Sequence, residues 1–146
     1  MSHRTILHGY IDEQLIAKSY SRRNDARLAA LPNCARGQCP LITGDLFATP
    51  RHVSLGRIIP FGAAYNGVER HWNRWRDEFE ALLRTLYWWE TQVWVETELW
   101  GAYHCTWTCL PSDRMEIAPQ SGAAAAVELQ PTTVWRYCGP TRNVLH

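Results

Sequence analysis

Residues 68–109 form the most aromatic stretch of the chain, VERHWNRWRDEFEALLRTLYWWETQVWVETELWGAYHCTWTC. It contains seven of the eight tryptophans in the chain and a dense group of carboxylates. A tryptophan side chain buries a large apolar area at small entropic cost, so several together form the centre of a core or of a protein interface. This stretch therefore predicts both the packing of the chain and the position of a binding surface.

The first half of the stretch predicts a long helix, from about residue 67 to residue 88. Its apolar positions recur at spacings of three and four, which places them on one stripe. They are Val68, Trp72, Trp75, Phe79, Leu82, Leu83 and Leu86. Charge pairs at four-residue spacing, such as Arg74 with Glu78, are typical of a solvated face. We expect the apolar stripe to pack against a sheet.

The second half of the stretch predicts a hairpin. Residues 92–99 alternate in the manner of a strand with one buried face. The outward set is Trp94, Glu96, Glu98 and Trp100. Gly101 and Ala102 are predicted to form the turn, and residues 103–109 alternate again as the returning strand.

Weaker patterns predict the remaining elements. They are strands at 4–11 and 53–59, a short helix at 21–31 that Pro32 ends, and short strands at 127–129 and 133–137. The whole pattern predicts an α+β fold in a single domain, residues 1–146. A mainly antiparallel sheet would pack against one long helix (about 67–88) and one short helix (about 21–31).

Composition limits the classes of function. The formal net charge is only +1, which argues against a strongly basic nucleic-acid binder. The balance hides an asymmetry: residues 1–76 carry eleven Lys and Arg against five Asp and Glu, and residues 77–146 carry four against nine. No secretion signal or membrane span is recognisable, so we expect a cytoplasmic location and no membrane contact. The five cysteines are then expected to be reduced thiols.

Motifs of catalysis are missing from the sequence. It has no G-x-S-x-G elbow, phosphate loop, dinucleotide fingerprint or H-E-x-x-H. Cys34, Cys39, Cys105 and Cys109 superficially suggest a zinc site. On a strand, however, Cys105 and Cys109 would lie roughly 13 Å apart, too far to share one metal ion. We therefore expect no metal, no cofactor and no enzymatic activity.

One pair of carboxylates has a spacing that a catalytic site could use. Glu96 and Glu98 would project from one strand face about 7 Å apart, a separation that glycoside-cleaving acids use. Alternating glutamates are nevertheless more typical of a solvated strand face.

The outward side of the hairpin is the candidate binding surface. A solvated strand face rarely carries two tryptophans, because an exposed apolar patch promotes aggregation unless a partner covers it. The candidate contact residues are Trp94, Glu96, Glu98 and Trp100, with Glu90 and Tyr103 at the edge. The competing interpretation is that the 21–31 helix packs on this face and makes the tryptophans part of the core.

Three segments resemble small cytoplasmic immunity proteins of bacterial toxin–immunity pairs, of the contact-dependent inhibition or type VI secretion class. They are ILHGYIDE at 6–13, HWNRWRDEFEALLRTLYW at 71–88 and VWVETE at 93–98. The resemblance implies a non-catalytic α+β domain that binds a cognate toxin domain and blocks it. Many nuclease inhibitors of this kind are markedly acidic, and the near-zero net charge of this chain departs from that pattern.

The sequence thus favours a non-catalytic inhibitor that neutralises a toxin through an aromatic and acidic surface. The alternative is a small hydrolase or ligand-binding domain with a pocket between the long helix and the 92–109 hairpin. Its polar groups would be Glu96, Glu98, His71 or His104. A homodimer formed through the same tryptophans is a third interpretation.

Overall fold

The computed structural model describes residues 3–14, 16–33, 40–53, 55–110 and 130–141. Within them, six strands form one antiparallel sheet in the order β2-β3-β1-β4-β5-β6, and two α-helices accompany it. The strands are β1 (Arg4–Gln14), β2 (Arg51–Val53), β3 (Gly56–Asn66), β4 (Glu90–Thr97), β5 (Gly101–Cys109) and β6 (Trp135–Cys138). The helices are α1 (Lys18–Ala29) and α2 (Trp72–Leu83), and short 3-10 helices cover Gly44–Leu46 and Val68–His71. The predicted α+β class is confirmed.

Strand β1 lies in the middle of the sheet and pairs with β3 on one side and β4 on the other. Successive side chains of a strand point to opposite faces. Leu7 and Ile11 are fully buried on one face, whereas Ile6 and His8 are exposed on the other. The sheet therefore has a core face and an opposite face, which we call the outer face.

Helix α2 packs its aromatic stripe on the core face. The rings of Trp72 and Trp75 stack at 5.2 Å, and those of Trp75 and Phe79 at 4.7 Å. Phe79 then meets Trp107 of β5 edge-on at 5.3 Å. Each such aromatic contact contributes about 0.5–1.5 kcal/mol beyond the burial of its area. The predicted three-and-four spacing thus places these residues against the sheet.

The prediction of one long helix from 67 to 88 is wrong. The α-helix ends at Leu83, and side chains bond to its last carbonyl groups. The Thr85 hydroxyl donates to the Leu82 carbonyl at 2.7 Å, and the Trp88 indole N–H donates to the Leu83 carbonyl at 2.8 Å. Leu86 and Trp88 are fully buried in the turn that follows.

Several other boundaries differ from the sequence prediction. Strand β1 continues past Ile11, since Asp12 and Gln14 still pair with β3 across an irregularity in the register. The predicted 53–59 strand is in fact parts of β2 and β3, which form a hairpin of their own. The short helix begins at Lys18 rather than residue 21. The predicted 127–129 strand lies outside the described residues.

A buried polar cluster attaches α1 to the core side of the sheet. The fully buried Glu13 carboxylate accepts bonds from the Arg57 guanidinium (2.8 Å), the Ser21 hydroxyl (3.0 Å) and the Asn24 amide. Its hydrogen bond with Arg57 raises the pKa of that guanidinium above the usual range, although burial acts to lower it. Asn24 also bonds the backbone of Tyr87 in both directions, at 2.7 and 2.8 Å.

Glu13→Gln should be strongly destabilising, because it leaves Arg57 with a weakened buried partner. Removing one member of a buried ion pair costs about 3–5 kcal/mol of unfolding free energy. Urea denaturation followed by circular dichroism measures this loss. The matched control is Asp25→Asn, which removes the half-exposed partner of the same arginine and should cost less than about 1 kcal/mol. Equal losses in the two variants would show that Glu13 does not hold α1 in place.

Candidate protein-binding surface

The outer face of the sheet has no described helix or strand packed on it. The contacts of α1 run to Glu13, Arg57 and Tyr87, and those of α2 run to the core face. Helix α1 therefore does not cover the outward tryptophans, contrary to the competing interpretation. The outer-face residues nearest the centre are Ile6, His8, Tyr10, Gly62, Ala64, Gln92, Trp94, Glu96, Ala102 and His104.

A three-ring stack lies at the centre of the outer face. Trp94 of β4 is directly opposite His8 of β1 on one side and His104 of β5 on the other. The indole stacks on the His8 ring at 5.6 Å and 12°, and on the His104 ring at 4.8 Å and 14°. Tyr10 leans against the same indole at 6.1 Å. Neighbouring rings on both sides limit the rotamers of Trp94, so its half-buried ring is held in one orientation.

Polar groups surround the stack in a chain of contacts. His104 Nε2 lies 2.5 Å from the amide oxygen of Gln92, whose amide nitrogen donates to Glu90 at 2.5 Å. On the other side, His8 Nε2 lies 4.0 Å from a carboxylate oxygen of Glu96. The carboxylates of the face are thus next to the aromatic rings, in contact with imidazole and amide groups.

The outer face is acidic at the end where β1 finishes and β4 begins. Asp12 of β1 lies directly opposite Glu90 of β4 in the register. Partial burial raises the pKa of Asp12, a backbone hydrogen bond from Gln14 opposes the shift, and Glu90 raises it further. Burial and Glu90 likewise raise the pKa of the Tyr10 hydroxyl.

The turn of the hairpin differs from the predicted one. Strand β4 ends at Thr97, and residues 98–100 form the turn instead of Gly101 and Ala102. The Thr97 hydroxyl closes the turn, since it donates to the Gly101 carbonyl at 2.8 Å and accepts from the Trp100 N–H at 2.8 Å. Gly101 has φ +83°, a left-handed conformation that suits glycine. Glu98 and Trp100 therefore lie in the turn and do not extend the face of Trp94 and Glu96.

Tyr103 lies on the opposite side from the other candidate residues. Along β5 it shares the core-side alternation with Cys105 and Trp107, while His104 faces outward. Its hydroxyl donates to the Trp100 carbonyl at 2.9 Å and so supports the turn from behind. Tyr103 pairs with Val95 of β4, which is buried on the core face, so its side chain does not share the outer face with Trp94 and Glu96.

Of the six candidate residues, Glu90, Trp94 and Glu96 share the outer face, and Glu98 and Trp100 lie in the adjoining turn. Sequence reasoning missed His8 and named His104 only as a polar group of the alternative pocket. The alternation within each strand predicts that both imidazole side chains point outward. Only the pairing of β1 and β5 with β4 brings both rings onto Trp94.

The pocket expected between the long helix and the hairpin is very small. A cavity of about 10 Å³ lies there, lined by Glu69, Trp72, Val95, Tyr103 and Pro140. Such a volume holds about one water molecule. The polar groups proposed for a catalytic pocket, Glu96, Glu98, His71 and His104, do not line it.

The cysteines of β5 lie in the core. Cys105 and Cys109 are both buried on the core face, and the Cys109 thiol donates to the Trp88 carbonyl at 3.0 Å. Burial raises the pKa of Cys105 to about 11, although the Tyr137 hydroxyl lowers it in part. Cys34 and Cys39 are outside the described residues. Among the described ones, no group of three or more His, Cys, Asp or Glu side chains could hold a metal ion.

Comparison with known proteins gives no matching family model, no matching curated protein and no matching solved structure. Neither described helix is long and apolar enough to cross a membrane.

Thiol reactivity should distinguish the buried Cys105 and Cys109 from the exposed Cys138. The thiolate is the reactive form, so the raised pKa and burial of Cys105 protect it at pH 8. Brief iodoacetamide treatment should modify the exposed Cys138 and leave Cys105 and Cys109 unmodified until urea is added. Peptide mass spectrometry reads out each site. Equal labelling of Cys105 and Cys138 in the native protein would contradict the burial of the β5 core face.

Proposed function

We propose that this chain is a non-catalytic inhibitor that binds and neutralises a cognate bacterial toxin domain, in the manner of an immunity protein in bacterial competition. The observation that carries the proposal is the His8–Trp94–His104 stack on an outer face where no described helix or strand packs. The binding surface comprises this face and the adjoining turn. The toxin would be met in the cytoplasm, without a cofactor and without direct contact to nucleic acid.

The aromatic stack supports the proposal through its energetics. Interface hot spots are enriched in tryptophan and tyrosine, and Trp94 lies beside Tyr10 at the centre of the face. Because His8 and His104 already restrict the indole, binding would cost little additional side-chain entropy. A pre-organised anchor of this kind raises affinity by lowering the cost of association.

The exposed carboxylates support a basic partner surface. The side chains of Glu96 and Glu98 are 61% and 52% exposed, and their ion-pair neighbours are the imidazoles of His8 and His3 at 4.0 and 3.7 Å. Exposed pairs of this type contribute little to folding stability. Charges at an interface instead orient the partner and accelerate association.

The binding test is reversal of these two charges. Glu96→Lys with Glu98→Lys should weaken binding by at least about tenfold, equivalent to about 1.4 kcal/mol, because cations would then face a basic surface. Calorimetric titration with the protein encoded immediately upstream of this gene measures the change. Circular dichroism should show an unchanged fold.

A matched control keeps the same change in net charge. Asp45→Lys with Asp77→Lys alters two exposed carboxylates on the 3-10 turn and on α2. It should leave the affinity within about twofold. If both double variants bind like the wild type, the proposed binding surface is wrong; if the wild-type chain fails to bind the upstream product, the proposed function is wrong.

A further inference from the structure

The turn at residues 98–100, here called the hairpin tip, presents apolar side chains to solvent. Leu99 is 59% exposed and Trp100 is 50% exposed. Two large apolar groups held together in water at a strand turn are costly for solubility unless another surface receives them. The hairpin of β2 and β3 exposes Val53 and Leu55 in the same way, so the hairpin tip is the candidate contact because it adjoins the aromatic and acidic outer face.

The hairpin tip is held rigid by hydroxyl groups. Thr97 bonds the Trp100 N–H and the Gly101 carbonyl, both at 2.8 Å, and Tyr103 bonds the Trp100 carbonyl at 2.9 Å. Both hydroxyls belong to the flanking strands. A turn fixed in this way enters an interface without paying for backbone ordering on binding.

The hairpin tip is also a projecting corner of the sheet. The last pair between β1 and β4 is Thr5 with Thr97, so the turn extends beyond it. Strand β5 pairs with β4 along one edge. Along its other edge, β6 pairs only with residues 106–109, and no described strand pairs with residues 101–104. A convex apolar corner fits a concave site.

Two carboxylates in and beside the hairpin tip indicate the charge at the rim of that site. Glu98 in the hairpin tip and Glu96 at the end of β4 are both more than half exposed. The described ion-pair neighbours of these carboxylates are the imidazoles of His8 and His3, and the exposed Arg4 begins β1. Two exposed carboxylates whose described neighbours are imidazoles favour cationic groups around the opening of the partner site.

We propose that the hairpin tip enters an apolar cleft of the toxin domain, with Leu99 and Trp100 filling the cleft and Glu96 and Glu98 contacting lysine or arginine at its rim. This inference rests on the proposed function and specifies how binding inhibits. Apolar clefts in enzymes are the usual substrate sites. Inhibition would therefore be by occlusion and would compete with substrate.

The test compares two hairpin tips of the same chain. Leu99→Ser with Trp100→Ser removes the proposed plug, and Val53→Ser with Leu55→Ser removes the exposed apolar pair of the β2–β3 hairpin at the opposite end of the sheet. With the upstream-encoded protein as the probe, the first variant should raise the dissociation constant by at least about 30-fold, as expected for a hot spot. The second should stay within about twofold of the wild type.

Enzyme kinetics supply the second arm. Increasing concentrations of the toxin's substrate should raise the amount of wild-type chain needed for half-inhibition. Tight wild-type binding that survives loss of Leu99 and Trp100, or inhibition that substrate does not relieve, would overturn the cleft-filling mode and leave the proposed inhibitor function intact. No wild-type binding would overturn the proposed function itself. Should the double variant unfold by circular dichroism, the milder Leu99→Ala variant decides by the same criteria, with an expected increase of at least about tenfold.

Discussion

The alternation of side chains along β1 is the constraint on which the other features depend. Strand β1 pairs on both sides, with Leu7 opposite Val95 of β4 and opposite Ala63 of β3. A shift of one residue would expose Leu7 and bury His8 in its place. The large apolar core on one face therefore fixes the register, and the register in turn decides which side chains the outer face presents.

The two helices extend this asymmetry to the rest of the structure. Helix α2 is held on the core face by its stacked aromatic rings, and α1 is held on the same side by its bonds to the buried Glu13. The outer face is then left to short side chains such as Gly62 and Ala64 around the Trp94 stack. The same arrangement that stabilises the fold thus leaves the Trp94 stack and the hairpin tip, the binding surface that we propose, without a described helix or strand packed on them.

The sequence predicted features that depend on local periodicity and missed those that depend on distant contacts. The alternation in β4 and β5 and the aromatic stripe of α2 follow from neighbouring residues alone, so they were found. The Trp88 indole bonds the last carbonyl of α2, and the Thr97 hydroxyl bonds across the turn. Neither contact has a signature in the local periodicity, and both boundaries were misplaced. In both contacts a side chain donates to a backbone carbonyl group. A pattern of apolar and polar residues does not predict such bonds.

Hydroxyl-radical footprinting measures whether the outer face and the hairpin tip are open to solvent in the isolated chain. Tryptophan oxidation, read by peptide mass spectrometry, should be high at Trp100, intermediate at Trp94 and lowest at the fully buried Trp75, Trp88 and Trp107. Protection of Trp94 and Trp100 to the level of those three core residues would contradict the account, because the proposed binding surface would then already be covered by the chain itself.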